Sequence, residues 1–135
     1  MKAAKGSGIL TSFFIFNQTP WHEVDLEILG VDTTQLQMNY FTDGVGGHET
    51  VLHLGFDASA DFHNYTIVWA VGSIQWYVDG VLIHVETGDR GPLPTVPGKI
   101  FANLWTGIGL DGWLGPFTYS GPLTASFDRI QYTQP

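Results

Sequence analysis

Residues 23–28 alternate between acidic and apolar side chains, and this pattern predicts a β-strand with two unlike faces. Glu23, Asp25 and Glu27 are each separated by one apolar residue. Because successive side chains of a strand point to opposite sides, the three carboxylates share one face and the apolar residues share the other. A row of like charges repels itself and adds nothing to folding. Such a face is therefore expected where the carboxylates carry out chemistry or bind a ligand.

The rest of the chain consists of short β-rich runs separated by Gly and Pro, which is typical of an all-β sandwich or barrel. The predicted strands are 9–16, 21–29, 35–41, 49–54, 65–70, the two arms of a hairpin over 74–85, 99–105 and 123–132. Asp79-Gly80, between the hairpin arms, favours a two-residue type I′ turn. No helix is predicted, and the Gly-rich stretch 107–116 is expected to be irregular. A chain of 135 residues is expected to form one domain over residues 1–135.

Composition argues against several classes of partner. The formal charge is −8, from 5 Lys and Arg against 13 Asp and Glu, so phosphate backbones are repelled and nucleic acid is not expected as a partner. No apolar run is close to the roughly 18 residues that a membrane helix needs, so no membrane partner is expected. The sequence has no Cys, which rules out disulfides and thiolate metal sites.

The spacing of Glu23 and Glu27 suits two carboxyl groups that act on one bond. Positions i and i+4 of a strand lie roughly 13 Å apart at Cα, at about 3.3 Å per residue, and two Glu side chains that lean together close most of that gap. Retaining glycosidases need two carboxyl groups about 5–5.5 Å apart, one as nucleophile and one as acid/base. Mutual repulsion should separate their titrations and leave one group protonated near neutral pH. A solvated polar face and a cation-binding acidic cluster are the alternatives.

The aromatic content favours a sugar groove over those alternatives. Aromatic residues make up 14% of the chain, with five Trp, and flat aromatic faces suit the binding of sugar rings. Trp21 lies two residues before Glu23 and is predicted to share its face, where it could support a ring. Trp69 and Trp76 are expected in the core instead.

The segment Glu23–Gly30 matches the pattern E-[ILV]-D-[ILV]-E-[FIL]-L-G, and through it the chain resembles the bacterial β-1,3-1,4-glucanases (lichenases) of glycoside hydrolase family 16. The similarity continues in short segments over nearly the whole chain, namely 37–41, 47–49, 54–58, 76–80, 97–100, 103–105 and 113–115. The resemblance implies a truncated, concanavalin-like jelly-roll β-sandwich of two curved antiparallel sheets. Roughly the N-terminal third of the family domain has no counterpart in this sequence.

The resemblance also implies an activity and residue roles. The implied activity is that of a retaining endo-β-1,3-1,4-glucanase on mixed-linkage β-glucan, with Glu23 as nucleophile, Glu27 as acid/base and Asp25 as the assisting carboxylate. The residues implied to bind glucosyl units are Phe14, Trp21, Asn39, Phe41, Glu49, Asn103 and Trp105. Two alternatives stay open: a transglycosylase on β-glucan or xyloglucan, and a non-catalytic glucan-binding domain.

The resemblance implies no required cofactor, although Asp128 stands where the family often binds a structural calcium ion. It implies secretion, while residues 1–5 do not resemble a signal peptide. Because the N-terminal third of the family domain supplies strands to both sheets, exposed sheet edges are expected here. Pairing with a second copy, as a homodimer or by strand swapping, is expected to cover them.

Overall fold

Eight antiparallel strands form two sheets in the computed structural model, which describes residues 1–134. The strands are β1 (Ile9–Gln18), β2 (Trp21–Leu29), β3 (Gln35–Thr42), β4 (Thr50–His53), β5 (Tyr65–Ala70), β6 (Ser73–Val78), β7 (Val81–Glu86) and β8 (Lys99–Thr106). A single helical turn, α1 (Asp111–Leu114), follows β8. The larger sheet has the order β4-β3-β2-β1-β8, and the smaller has the order β5-β6-β7. The strand that carries the three carboxylates is therefore the centre of the larger sheet.

The core lies between the two sheets and explains the apolar half of the alternation in β2. Val24, Leu26 and Ile28 are fully buried, and they belong to one cluster with Ile74 and Trp76 of β6. Burial of each such side chain stabilises the fold by about 1.5–3 kcal/mol. The opposite face of β2 is left for the carboxylates.

One hydrogen bond joins the core to the carboxylate strand. The indole Nε1 of Trp76 donates to the carbonyl oxygen of Asp25 at 2.9 Å, across the space between the sheets. Trp76 is fully buried, so an indole N–H without a partner would cost about 1–3 kcal/mol at this position. The contact therefore ties the backbone of β2 to the smaller sheet directly beneath the carboxylates.

The all-β prediction is confirmed, and so is the hairpin at Asp79-Gly80. Both turn residues have positive φ, 50° for Asp79 and 79° for Gly80, as a type I′ turn requires. Trp76 is in the core as expected, and Trp69 packs against the core.

Two sequence predictions about the C-terminal region are wrong. The strand expected over 123–132 does not form within the described residues; the stretch makes one isolated bridge, between Ser126 and Lys2. The second wrong prediction concerns residues 107–116, which were expected to be irregular but contain the helical turn α1. Buried Leu114 anchors this turn, and its backbone N–H donates to the carbonyl oxygen of Leu110 at 2.9 Å.

Strands β4 and β8 form the two edges of the larger sheet. Pairing of such edges with a second copy of the chain stays a prediction. In residues 1–134 we find no helix with the length and apolar character needed to cross a membrane.

Candidate functional site

The antiparallel register of the larger sheet places each carboxylate of β2 in a row with one residue from β3 and one from β1. The three rows are Phe41, Glu23 and Phe16; Asn39, Asp25 and Phe14; and Gln37, Glu27 and Ser12. Because side chains directly opposite each other on paired strands share a face, these nine side chains form one surface. Strand β8 extends this surface with Phe101 and Asn103.

Glu23 lies at one end of the row of carboxylates. Its Oε2 accepts a hydrogen bond of 2.7 Å from the indole Nε1 of Trp21. Burial raises the pKa of Glu23, while hydrogen bonds from Trp21 and Asp25 oppose that rise. Both hydrogen bonds favour the charged carboxylate, so Glu23 is the member of the row best supported as an anion.

Asp25 is the most buried carboxylate of the three, with 5% of its surface exposed. Burial raises its pKa well above the ordinary value, and the charges of Glu23 and Glu27 raise it further. The hydrogen bond between Asp25 and Glu23 raises the pKa of Asp25 and lowers the pKa of Glu23. This is expected when a protonated Asp25 donates to an ionised Glu23. The charge on either group therefore affects the pKa of the other.

Glu27 keeps its proton to a much higher pH than an ordinary Glu, because its pKa is raised. Burial raises its pKa to about 7, a hydrogen bond from Gln37 opposes the rise, and the charges of Glu23 and Glu49 add to it. The Nε2 of Gln37 donates to Oε2 of Glu27 at 2.9 Å. A carboxyl group with a pKa near the working pH is suited to donate and then recover a proton.

The surroundings of Glu23 and Glu27, at positions i and i+4 of the same strand, therefore differ: hydrogen bonds favour the charged form of Glu23, whereas burial favours the protonated form of Glu27. This separation of protonation states assigns a nucleophile and an acid to two chemically identical side chains. Two such groups on either side of a glycosidic bond are the requirement for retaining hydrolysis.

Aromatic rings form the floor of the surface around Glu23. Phe14 stacks on Phe101 with ring centroids 5.0 Å apart, and Trp21 stacks on Phe41 at 5.5 Å. Phe16 contacts Trp21 edge-on at 6.0 Å. Phe14, Trp21 and Phe41 were expected here from the sequence, whereas Phe16 and Phe101 were not among the expected site residues. Their period-2 spacing from Phe14 and Asn103 along β1 and β8 is the signal that could have identified them.

Amide and indole groups surround Glu27 at the other end. Asn103 is hydrogen bonded to Ser12, in the same row as Glu27. Gln37 bridges two groups: it donates to Glu27, and its Oε1 accepts from the indole Nε1 of Trp113 at 3.2 Å. Gln37 is a functional candidate that sequence reasoning did not place in the site, whereas the sequence left Trp113 open between core and groove.

A cleft lies beside this end of the row. Its volume is about 250 Å³, and its lining residues include Gln35, Gln37, Val51 and Trp113. Trp105, which was expected in the groove, packs near Trp113 with ring centroids 6.2 Å apart.

Asn39 and Glu49, both expected in the groove, are in contact. The Nδ2 of Asn39 donates to Oε1 of Glu49 at 3.4 Å, and Oδ1 of Asn39 accepts from the backbone N–H of His48 at 3.2 Å. Asn39 lies opposite Asp25. All seven expected binding residues therefore lie on or beside the face that carries the carboxylates.

The expected calcium ligand, Asp128, lies apart from this surface. It is exposed, and its charge acts on the N-terminal amine of Met1. Over residues 1–134, no group of three or more His, Asp or Glu side chains could hold a metal ion. The described residues thus supply one carboxylate without a ligand set, and calcium at Asp128 stays a prediction.

Comparison with known proteins identifies close relatives of the chain. A family model described as glycosyl hydrolases family 16 matches residues 1–121. The chain is 51% identical to a beta-glucanase of Paenibacillus polymyxa over 98% of its own length, and it spans 56% of that protein.

Two solved structures extend the comparison to the fold. The Bacillus licheniformis beta-glucanase matches with a TM-score of 0.86 at 48% identity, covering 90% of this chain and 57% of that chain. The Crh5 transglycosylase, without ligand, matches with a TM-score of 0.82 at 31% identity, covering 90% of this chain and 55% of that chain. The jelly-roll β-sandwich expected from the sequence is confirmed by these matches. The chain spans little more than half the length of the relatives it matches.

Proposed function

Because this chain belongs to the glycosyl hydrolases of family 16, we propose that it is a retaining endo-β-1,3-1,4-glucanase that hydrolyses mixed-linkage β-glucan. The observation that carries the proposal is the placement of Glu23 and Glu27 on one face of β2 beside an aromatic floor, with the pKa of Glu27 raised to about 7. The beta-glucanases of Paenibacillus and Bacillus support a β-glucan as the substrate class.

The proposed reaction proceeds in two displacements at one anomeric carbon. In the first, Glu23 attacks that carbon while Glu27 gives its proton to the leaving glycosidic oxygen, which forms a covalent glycosyl-enzyme and frees one end of the chain. In the second, the now ionised Glu27 takes a proton from water, whose oxygen displaces Glu23. The pKa of Glu27 at about 7 suits both directions of proton transfer. Asp25 orients Glu23 and stabilises its charge through their shared hydrogen bond.

The groove chemistry favours a neutral polysaccharide. Carboxylates from β2 and Glu49 give the groove a negative potential, which repels uronate or sulfated chains. Aromatic rings such as Trp21, 45% exposed, offer stacking surfaces for uncharged glucosyl rings. We also propose an extracellular location, because a polymeric glucan is too large to enter a cell.

A transglycosylase is the second candidate. The similarity to the Crh5 transglycosylase at a TM-score of 0.82 supports it, as does the cleft lined by Trp113 beyond Glu27, where a sugar acceptor could replace water. The first displacement would be the same in both activities. Products longer than the donor chain, detected by mass spectrometry, would favour this candidate over hydrolysis.

An assay on four polymers tests the proposal. Lichenan should release reducing ends with the intact chain, whereas laminarin, xyloglucan and agarose should release far fewer. A surface variant, Asp61→Ala, serves as a matched preparation that should retain full activity, since Asp61 lies in an exposed turn. If lichenan binds without release of reducing ends or transfer products, the chain is a glucan-binding domain and the enzymatic proposal is wrong.

The pH dependence of hydrolysis should follow Glu27 on its alkaline side. Glu27 must be protonated to act as an acid, so kcat/KM should fall above pH about 7 as the proton is lost. The decline should approach tenfold per pH unit. Steady-state rates on lichenan over about pH 4 to 9 would measure it.

Gln37→Leu provides the internal control for that profile. The hydrogen bond from Gln37 lowers the pKa of Glu27, so its loss should move the alkaline limb to higher pH. An alkaline limb that stays fixed in this variant would contradict the role of Glu27 as the acid.

A further inference from the structure

A charged cluster at the end of the smaller sheet reaches across to the larger sheet. Glu86, at the end of β7, has 5% of its surface exposed and is hydrogen bonded to Arg90 and to His84. Burial raises the pKa of Glu86, but the bonds from Arg90 and His84 outweigh it, so the pKa ends below its ordinary value. Glu86 is thus an anion that holds the Arg90 guanidinium in a fixed place.

The Arg90 guanidinium also reaches the larger sheet. Its Nη2, the nitrogen that contacts Glu86, lies 2.7 Å from the carbonyl oxygen of His48 and 2.9 Å from Oγ1 of Thr50, so its two N–H groups are shared among three acceptors. Its Nη1 donates to the carbonyl oxygen of Glu49 at 3.3 Å. A planar fork of donors can satisfy several acceptors at once, which a Lys ammonium cannot reproduce in the same geometry. One side chain from the loop after β7 therefore fixes three consecutive residues at the start of β4.

The segment that Arg90 fixes carries a side chain of the groove. Glu49 is an exposed residue, yet its carboxylate meets Nδ2 of Asn39 at 3.4 Å, and the backbone N–H of His48 donates to the same amide at 3.2 Å. An exposed carboxylate has little packing of its own to keep it there. Its position depends on the backbone beneath it, and Arg90 holds that backbone.

We propose that Arg90 is a positioning residue, which holds residues 48–50 so that the Glu49 carboxylate stays beside Asn39, in the row next to that of Glu27. The role of Glu27 as the acid rests on the proposed function. The contacts of Arg90 with residues 48–50 do not depend on that function.

The groups that surround Glu27 allow a sharp test of this role. Two charged groups raise its pKa, Glu23 from its own strand and Glu49 from the segment before β4. The side chains that share its row from β3, β1, β8 and β4 are uncharged: Gln37, Ser12, Asn103 and Val51. Loss of a nearby positive charge raises the pKa of a carboxyl group, whereas release of a neighbouring anion lowers it. A direct charge effect and a positioning effect of Arg90 therefore differ in sign.

The experiment follows the Glu27 carboxyl carbon by NMR in the full chain labelled at the Glu side chains. Glu49→Gln should lower the pKa of Glu27 by about half a pH unit, because one neighbouring charge is removed. Arg90→Ala and Arg90→Lys should lower it by a similar amount, and the double variant Arg90→Ala/Glu49→Gln should lower it no further. Arg129→Ala, at an exposed Arg, is the matched control and should leave it unchanged.

A second variant covers the possibility that Arg90→Ala fails to fold with Glu86 left buried and charged. Arg90→Ala/Glu86→Gln removes that charge and should fold with the same lowered pKa of Glu27. An unchanged or raised pKa in this variant, or in Arg90→Lys, overturns the positioning role. An unchanged pKa in Glu49→Gln overturns the link between Glu49 and Glu27. Because the titration needs no turnover, an inactive wild-type chain would refute the proposed function and leave this test intact.

Discussion

Replacement of Glu23 by Ala should reduce lichenan hydrolysis by more than about 10⁴-fold, because no covalent glycosyl-enzyme can form without the nucleophile. Replacement of Glu27 by Ala should cost less, about 10²- to 10⁴-fold, since it removes proton transfer but leaves the attacking group. Both variants should fold, because each removes a carboxyl group whose charged form is disfavoured by burial in a crowded row. Reducing-end assays and circular dichroism would measure the two effects separately.

Rescue with azide distinguishes the two roles by stereochemistry. In Glu23→Ala, azide can enter the vacated space on the face of the sugar opposite the leaving group and should yield the α-glycosyl azide. In Glu27→Ala, an activated aryl glycoside still forms the glycosyl-enzyme through Glu23, and azide should release the β-glycosyl azide. Identical azide anomers from both variants would contradict the assignment of nucleophile and acid.

Replacement of Trp76 by Ala should produce the largest loss of stability. Trp76 is fully buried in the cluster between the sheets, and Trp or Phe to Ala changes in such sites cost about 3–5 kcal/mol. Because small domains are stable by only about 5–15 kcal/mol, this variant should be close to unfolding at room temperature. Urea titration followed by circular dichroism would measure the shift in midpoint.

Two further variants separate packing from hydrogen bonding at Trp76. Trp76→Phe keeps much of the ring but leaves the carbonyl of Asp25 without its donor, so a loss of about 1–3 kcal/mol is expected. Tyr119→Ala, at a side chain 69% exposed, should change stability by less than about 0.5 kcal/mol. Equal losses in Trp76→Phe and Tyr119→Ala would show that the hydrogen bond to Asp25 does not stabilise the fold.

Local pattern was enough to predict much of the sheet that carries the site. The alternation over residues 23–28 specified which side chains of β2 enter the core and which face outward, because strand geometry alone sets that choice. The turn at Asp79-Gly80 was equally local, since both residues tolerate positive φ. Prediction failed where the outcome depends on partners distant in sequence: residues 123–132 have strand-like composition, yet Ile130 and Tyr132 remain exposed.

Gln37 and Arg90 were not predicted as site residues for the same reason, because their roles depend on partners distant in sequence. Gln37 reaches Glu27 and Trp113 only because the register of β3 against β2 brings them together. Arg90 lies in a polar loop whose sequence has no periodic pattern, and its contacts with residues 48–50 span about forty positions of chain. The importance of such residues is set by tertiary contacts, which a single sequence does not specify.

The central place of β2 in its sheet has a consequence for how the molecule could lose activity. The candidate catalytic side chains belong to a strand with hydrogen-bonded neighbours on both sides, and its buried face forms the core. Fraying of a loop or an edge strand would leave these groups in place, because the centre of a sheet opens only with the cooperative unit as a whole. Activity would then disappear together with the fold, and turnover could serve as a direct reporter of the folded fraction.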